Sequence, residues 1–376
     1  MPGLKPVQIK PTDTFFFRGH RDFTAGETSA AVSFFPPRPG TIYGTLRSAY
    51  IHRHSDFASF GSGSEPEVRK WMGTTTAPGE LAVKGTVVKV DGTEYVPVPY
   101  DCLIAEGKAA LLKLRSDVPE LAWDRRKYRL FSDDITKAES PEGYFVPLFQ
   151  WKRQMMDGKY ECQAVHAGEW LAAEMKTGIA LDPSSRATRE NMLYRADMKR
   201  FNSKNYADED TGFLVLVQNG PDFSDVRFAR LGGENRPAQV RQLDQGFSLF
   251  AGEETMALAD AIRKTETARL VFITPTIIRQ NSCIYNREAG RMILKPGLEL
   301  EVMAVANGRP YLVGGWDIAA NRPKPRYSAY PAGSVFNLRV PESQADDVIK
   351  TVLERNITDE LAYEGYGWAA VGVANV

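Results

Sequence analysis

From Phe34 to Arg47 the chain reads Phe-Phe-Pro-Pro-Arg-Pro-Gly-Thr-Ile-Tyr-Gly-Thr-Leu-Arg. Pro36, Pro37 and Pro39 each fix φ and push the preceding residue toward extended geometry, so the segment enters stiff and straight. Gly40 can turn the chain, and Thr41 suits the cap of a helix expected over Ile42 to His54. Such a helix would point free backbone N–H groups at whatever lies in front of the turn, and that end of a helix attracts phosphate. Arg38 stands just before it and Arg47 within it. Most proline-rich turns before helices are purely structural, so the weight of this stretch depends on its company.

Hydrophobic residues make up 43% of the 376 and charged residues 25%, as in an ordinary globular chain long enough for two domains. Formal net charge is +0. A protein that binds nucleic acid by charge alone is usually basic. Here the charge is either segregated or shared with partners. Met1 to Pro6 carries no apolar core of a secretory signal, and no run of about 18 apolar residues suggests a membrane span. Cys102, Cys162 and Cys283 are scattered, with no CxxC pair or metal-ligand spacing, as expected of a reducing cytoplasm.

Val7 to Phe17 reads as a strand. Leu81–Val90 and Glu94–Pro99 flank Asp91-Gly92, a strong hairpin signal. Gly168 to Lys176 reads as a short helix. Gly178–Asp182 and Asn191–Phe201 read as arms of a second hairpin around a polar tip. Gly212–Gln218 and Arg269–Pro275 read as strands. Glu299–Ala306 and Tyr311–Trp316 flank Asn307-Gly308 as a third hairpin. Ser334–Val340 reads as a strand, Glu342–Asn356 as a helix and Trp368–Val373 as a closing strand. Helices packed on antiparallel hairpins indicate an α+β fold, and the element order suits ferredoxin-like units. A break is expected near Gly252 to Thr267, dividing the chain into 1–255 and 256–376.

Catalytic signatures are scarce. The four histidines form no metal set, and no phosphate-binding loop, nucleophile elbow or dinucleotide fingerprint is present. His20, beside Arg18 and Arg21, is the least poor candidate for a general base, and a surface histidine is the commoner reading. No cofactor, metal or small-molecule substrate is indicated. Basic residues instead gather in three groups. Met1 to His54 carries an excess of about four, as does Arg186 to Lys204; Arg322, Lys324 and Arg326 lie between prolines. Glycine-rich turns occur at Leu231-Gly232-Gly233-Glu234 and Gly365-Tyr366-Gly367-Trp368. In the latter, Tyr366 and Trp368 offer faces for base stacking or, equally, core aromatics.

These features resemble the RAMP superfamily of CRISPR proteins, and within it the third-subunit family of the type III-B (Cmr) RNA-targeting complex. The resemblance rests on Pro11-Thr12-Asp13, Phe17-Arg18, Phe35-Pro36-Pro37 and Gly40-Thr41 through Gly44 to Leu46-Arg47. It continues through Pro97-Val98-Pro99-Tyr100-Asp101, Thr177 to Asp182 with Leu193-Tyr194, Leu231 to Glu234, Pro331 to Val335 and Gly365-Tyr366-Gly367. No one motif is specific, but their order runs over nearly the whole chain. Arg38 interrupts what is often an unbroken proline run, and the last glycine-rich loop is short.

The resemblance implies two ferredoxin-like, RRM-like domains with inserted hairpins and loops. It implies a non-catalytic subunit at the base of an antiviral, RNA-guided complex. There it would bind the 5′ tag of the CRISPR RNA, dock the large polymerase-like subunit and contact the first backbone subunit. RNA-contacting residues would be Arg18, with Arg38, Thr41 and Arg47 on phosphates. Arg186, Arg189 and Asn191 at the hairpin tip would line RNA or a partner, and Gly365, Tyr366, Gly367 and Trp368 would approach the tag. Two alternatives stand beside this: a metal-free CRISPR-RNA processing endoribonuclease using His20 or Tyr43, and a pure protein scaffold.

Overall fold

The structure is a computed structural model that describes residues 4–19, 32–116, 127–133, 137–182, 184–185, 187–202, 210–317 and 320–376. Two antiparallel sheets dominate it, with few helices, which makes the fold α+β. None of its described helices is long and apolar enough to cross a membrane.

The first sheet centres on Lys5–Pro11, Ala82–Val90, Gly212–Asn219 and Arg236–Gln242. In space these four run fourth, first, third, second, with every neighbour antiparallel. Thr93–Pro97, Tyr144–Pro147 and Val165–His166 extend one edge and Phe228–Leu231 the other, giving eight strands among the described residues. The second sheet centres on Thr267–Phe272, Leu298–Ala306, Val335–Arg339 and Ala369–Gly372, again in the order fourth, first, third, second. A helix packs within each half: Pro39–His54 after the first strand of the first, followed by the short Phe57–Ser62 and Pro66–Met72, and Ala345–Glu354 before the last strand of the second; Leu148–Met156 follows an edge strand of the first. A further helix, Gly252–Thr265, leads into the second sheet. The expected division at 255/256 falls inside it.

Helix Pro39–His54 buries Ile42, Leu46 and Tyr50 against Val7, Ile9, Phe213 and Val215 of the first sheet. Beside them Phe15, Phe17, Phe35, Phe201 and Phe213 form a ring cluster with centroids about 5 to 6.4 Å apart. The Phe15–Phe17 run is therefore core, and the strand itself ends at Pro11. Between the halves lies another cluster. Val87, Leu214 and Leu216 meet Val271, Val335 and Ala370 there, with Trp151 and Trp368 wholly enclosed. A Cβ on Gly85 would lie 2.2 Å from Trp368 Cε3. A glycine in the first sheet thus admits an aromatic ring from the second half.

One ion pair crosses this interface. Arg269 is 0% and Asp101 1% exposed, and the guanidinium donates through Nε and Nη2 at 2.9 and 2.6 Å. Burial works against the charge on Arg269, but the Asp101 carboxylate, with Cys102 and Cys162 beside it, more than offsets it, and the net shift is upward.

Three expected elements differ. Leu171–Leu181 is a strand paired with Thr188–Phe201 as a long two-stranded ribbon, whereas a helix was expected over Gly168–Lys176. Leu-Ala-Ala-Glu-Met-Lys favours helix locally, and cross-strand pairing overrides that weak preference. Asn307-Gly308 does not close a hairpin. Leu298–Ala306 pairs with Arg291–Lys295 and Val335–Arg339, while Tyr311–Val313 pairs with Tyr327–Tyr330. The first helix starts at Pro39, with Arg38 in the cap position and no side-chain cap bond. Proline is favoured at the first helical position because its missing N–H is unused there, so Thr41 lies inside the helix.

Asp101→Asn leaves Arg269 buried without a counter-charge and should cost about 3–5 kcal/mol in denaturant unfolding. Lys84, in strand Ala82–Val90, is 2% exposed and its Nζ has no hydrogen-bond partner. Burial lowers its pKa from 10.5 to about 8, with Glu354 opposing weakly. Between those values the unfolded chain binds a proton that the folded chain does not, so stability rises with pH across that window and the full cost is present below about 8. Lys84→Met should therefore be more stable at pH 7, by on the order of 3 kcal/mol, and lose that rise. Thermal unfolding at pH 7 and pH 10 measures both.

Candidate nucleic-acid interface

The proline-rich segment, the start of helix Pro39–His54 and the last glycine-rich loop meet where the two halves face each other. A cleft of about 160 Å³ opens in front of them. Phe34, Pro36 and Arg38 form one wall, Tyr95 and Tyr100 another, and Thr274 and Tyr311 of the second half a third. The guanidinium of Arg38 lies 5.1 Å from the ring centre of Phe34 and 5.3 Å from that of Tyr311. The two rings hold the cation in place. Its Nε and Nη2 are buried and have no hydrogen-bond partner. Leaving such donors unmade costs about 1–3 kcal/mol, and the Arg38 side chain lines the cleft. Burial pushes the Tyr100 hydroxyl up to about 12 and that of Tyr311 further, so both are neutral donors near neutral pH.

The helix end itself is closed. Pro39 has no N–H. The Tyr366 hydroxyl closes over Gly40, where a Cβ would lie 3.7 Å from it. The Thr41 and Ile42 amides donate to the Arg38 carbonyl at 2.9 and 3.3 Å. Glu364, 8% exposed, brings its carboxylate so close that a Cβ on Gly40 would lie 2.6 Å from Oε2. Burial raises the Glu364 pKa, while Lys324, Arg47 and the Tyr363 hydroxyl pull it down. The Thr41 and Ile42 N–H groups are thus already used within the protein, and an internal acid stands where an anion would sit.

Other residues singled out by the sequence fall as follows. Arg47 donates to the carbonyls of Met72 and Thr74 at 2.7 and 2.6 Å and packs over Phe60, so it ties the helix to its neighbours. The Thr41 carbonyl accepts from Thr45 Oγ1. Gly365 and Gly367 have positive φ, and Tyr366 and Trp368 turn inward at 2% and 1% exposure. Their ring faces are taken up by protein. Arg18 is exposed beside its bridge partner Ser33. His20 and Arg186 lie outside the described residues; Arg189 and Asn191 belong to strand Thr188–Phe201, and their side chains lie outside the description. Tyr43 is buried, and burial pushes its hydroxyl up to about 12, a poor setting for a general base. Among the described residues no three His, Cys, Asp or Glu side chains form a metal-binding group. Sequence reading missed Tyr100 and Tyr311 in the cleft with Arg38, and Glu364 beside Gly40, because they come together only through the contact between halves.

Arg47→Ala should cost about 2–3 kcal/mol of stability through its two charge-assisted bonds, whereas Arg38→Ala should cost less than about 1 kcal/mol. Urea titration of the two variants measures the difference.

Comparisons with known proteins fit this arrangement. A family model described as CRISPR-associated protein (Cas_Cmr3) matches residues 7–374. Among solved structures, a chain of the type III-B Cmr-beta complex bound to cognate target RNA and AMPPnP is similar, at TM-score 0.51 and 17% identity, covering 93% of this chain and 88% of that one. A chain of the same kind of complex bound to cognate target RNA alone gives TM-score 0.50 and 16% identity, covering 89% and 86%. No curated protein matches the sequence.

Proposed function

The chain belongs to the family of CRISPR-associated Cmr3 proteins, and from that premise we propose that it holds the 5′ tag of a CRISPR RNA without cutting it. In this reading it works in the cytoplasm, docks the large polymerase-like subunit at the base of a type III-B complex and touches the first backbone subunit. Each half is read as a ferredoxin-like unit, which the repeated fourth–first–third–second strand order supports. One helix of each expected pair is replaced by loops or short strands.

The observation that carries the proposal is Arg38. A guanidinium packed against two adjoining aromatic rings, with two buried donors unused, lines a cleft whose walls are largely apolar. That combination suits single-stranded RNA, where a splayed nucleotide offers both a flat ring and phosphate or carbonyl acceptors. The closed helix end moves the expected phosphate contact from backbone amides to this side chain. Thr41 and Arg47 then serve the scaffold. Arg18 remains proposed as an exposed contact, and Arg186, Arg189 and Asn191 remain proposed contacts.

The test is fluorescence anisotropy with labelled guide RNA carrying a native or a scrambled 5′ tag, with and without the large subunit. Tight tag-dependent binding, weakened about tenfold or more by Arg38→Glu at unchanged thermal stability, is expected. Tag-independent binding would point to the scaffold, and loss of intact RNA would point to a nuclease.

A further inference from the structure

The basic group Arg322, Lys324 and Arg326 lies on the return arm of an irregular β-hairpin. At its base Tyr311–Val313 pairs with Tyr327–Tyr330; farther out Trp316–Asp317 pairs with Arg322–Pro323. Trp316 is 55% exposed, and Leu312 on the same arm is 40% exposed. All three cations are exposed. Gly314 and Gly315 leave room for their stems: a Cβ at Gly314 would lie 3.2 Å from Arg326 Cγ, and one at Gly315 would lie 3.7 Å from Lys324 Cδ. The hairpin is anchored beside the cleft, since Tyr311 packs 5.2 Å from Phe34.

We propose that this hairpin is a second contact for single-stranded RNA, with a base stacked on Trp316 and the backbone tracked by Arg322, Lys324 and Arg326. An exposed indole has a hydration cost that a base can relieve, and every base has a face to offer, so the contact tolerates any sequence. Three exposed cations within the five residues 322–326 suit a polyanion better than a neutral partner. The inference rests on the proposed function only in taking RNA as the polyanion. It adds a sequence-independent track outside the cleft.

The test uses the full chain and a labelled 12-nucleotide oligouridylate, which lacks the tag, at low and moderate salt. Trp316→Ala should weaken binding about tenfold, and Trp316→Phe should stay within about threefold of the parent. Arg322→Glu with Lys324→Glu should lower affinity and reduce the log–log salt slope by about 1 to 1.5. The Trp316 variants should keep the parent's thermal midpoint, because that position is exposed, while the double charge reversal is read at a temperature below its own midpoint, since Lys324 also acts on Glu364. Parent-like binding by Trp316→Ala, or no binding by the parent at low salt, overturns the proposal. So do variants that bind the RNA normally but lose a protein subunit, which would make the hairpin a protein-docking arm. Since the probe has no tag, loss of tag dependence with Trp316 dependence intact sinks the cleft reading alone.

Discussion

The Asp101–Arg269 pair holds the architecture together. Two buried charges are costly to desolvate, and the pair is tolerated because both Asp101 oxygens accept from one planar guanidinium. Apolar side chains of equal volume could give as much stability. What the ion pair adds is direction. Arg269 sits in the first strand of the second sheet, and Asp101 follows the Pro97-Val98-Pro99-Tyr100 strand end of the first half. Tyr100 N–H then donates to the Gly333 carbonyl at 2.8 Å, and Trp368 lies over Gly85. These contacts fix the register between halves, and so the width of the cleft.

The same register explains the closed helix end. Glu364 and Tyr366 come from the second half and reach the first turn of a helix in the first. A helix N-terminus that would otherwise bind an outside anion is neutralised from within. Arg38, one residue earlier, escapes this and lines the cleft with two buried donors unused. In the proposed function the anion contact therefore passes from backbone to side chain.

Much of the first half could be read from local sequence. The Asp91-Gly92 hairpin, the helix after the prolines and the apolar strand near Gly212 all have short-range signals, and the structure contains them. Failures occurred where distant pairing decides. Leu171–Lys176 has helix-forming residues and is a strand because Thr188–Phe201 lies beside it. Asn307-Gly308 has turn chemistry, yet the strands around it pair elsewhere. For the site, Arg38 was legible from its place among prolines. Its surroundings were not, because Tyr311 and Glu364 are some 270 and 320 residues away in the chain, and no pattern of spacing marks such contacts. The aromatics of the Gly365–Trp368 loop were visible as aromatics, but only packing decides whether they face water or core.

The most direct test of the account is a high-resolution cryo-EM map of this chain in its assembled complex with guide RNA. The account predicts density for a guide nucleotide in the cleft between halves, with an acceptor atom within hydrogen-bond distance of Arg38 Nε or Nη2. A cleft filled by a side chain of another subunit, with the guide's 5′ end bound elsewhere, would contradict it.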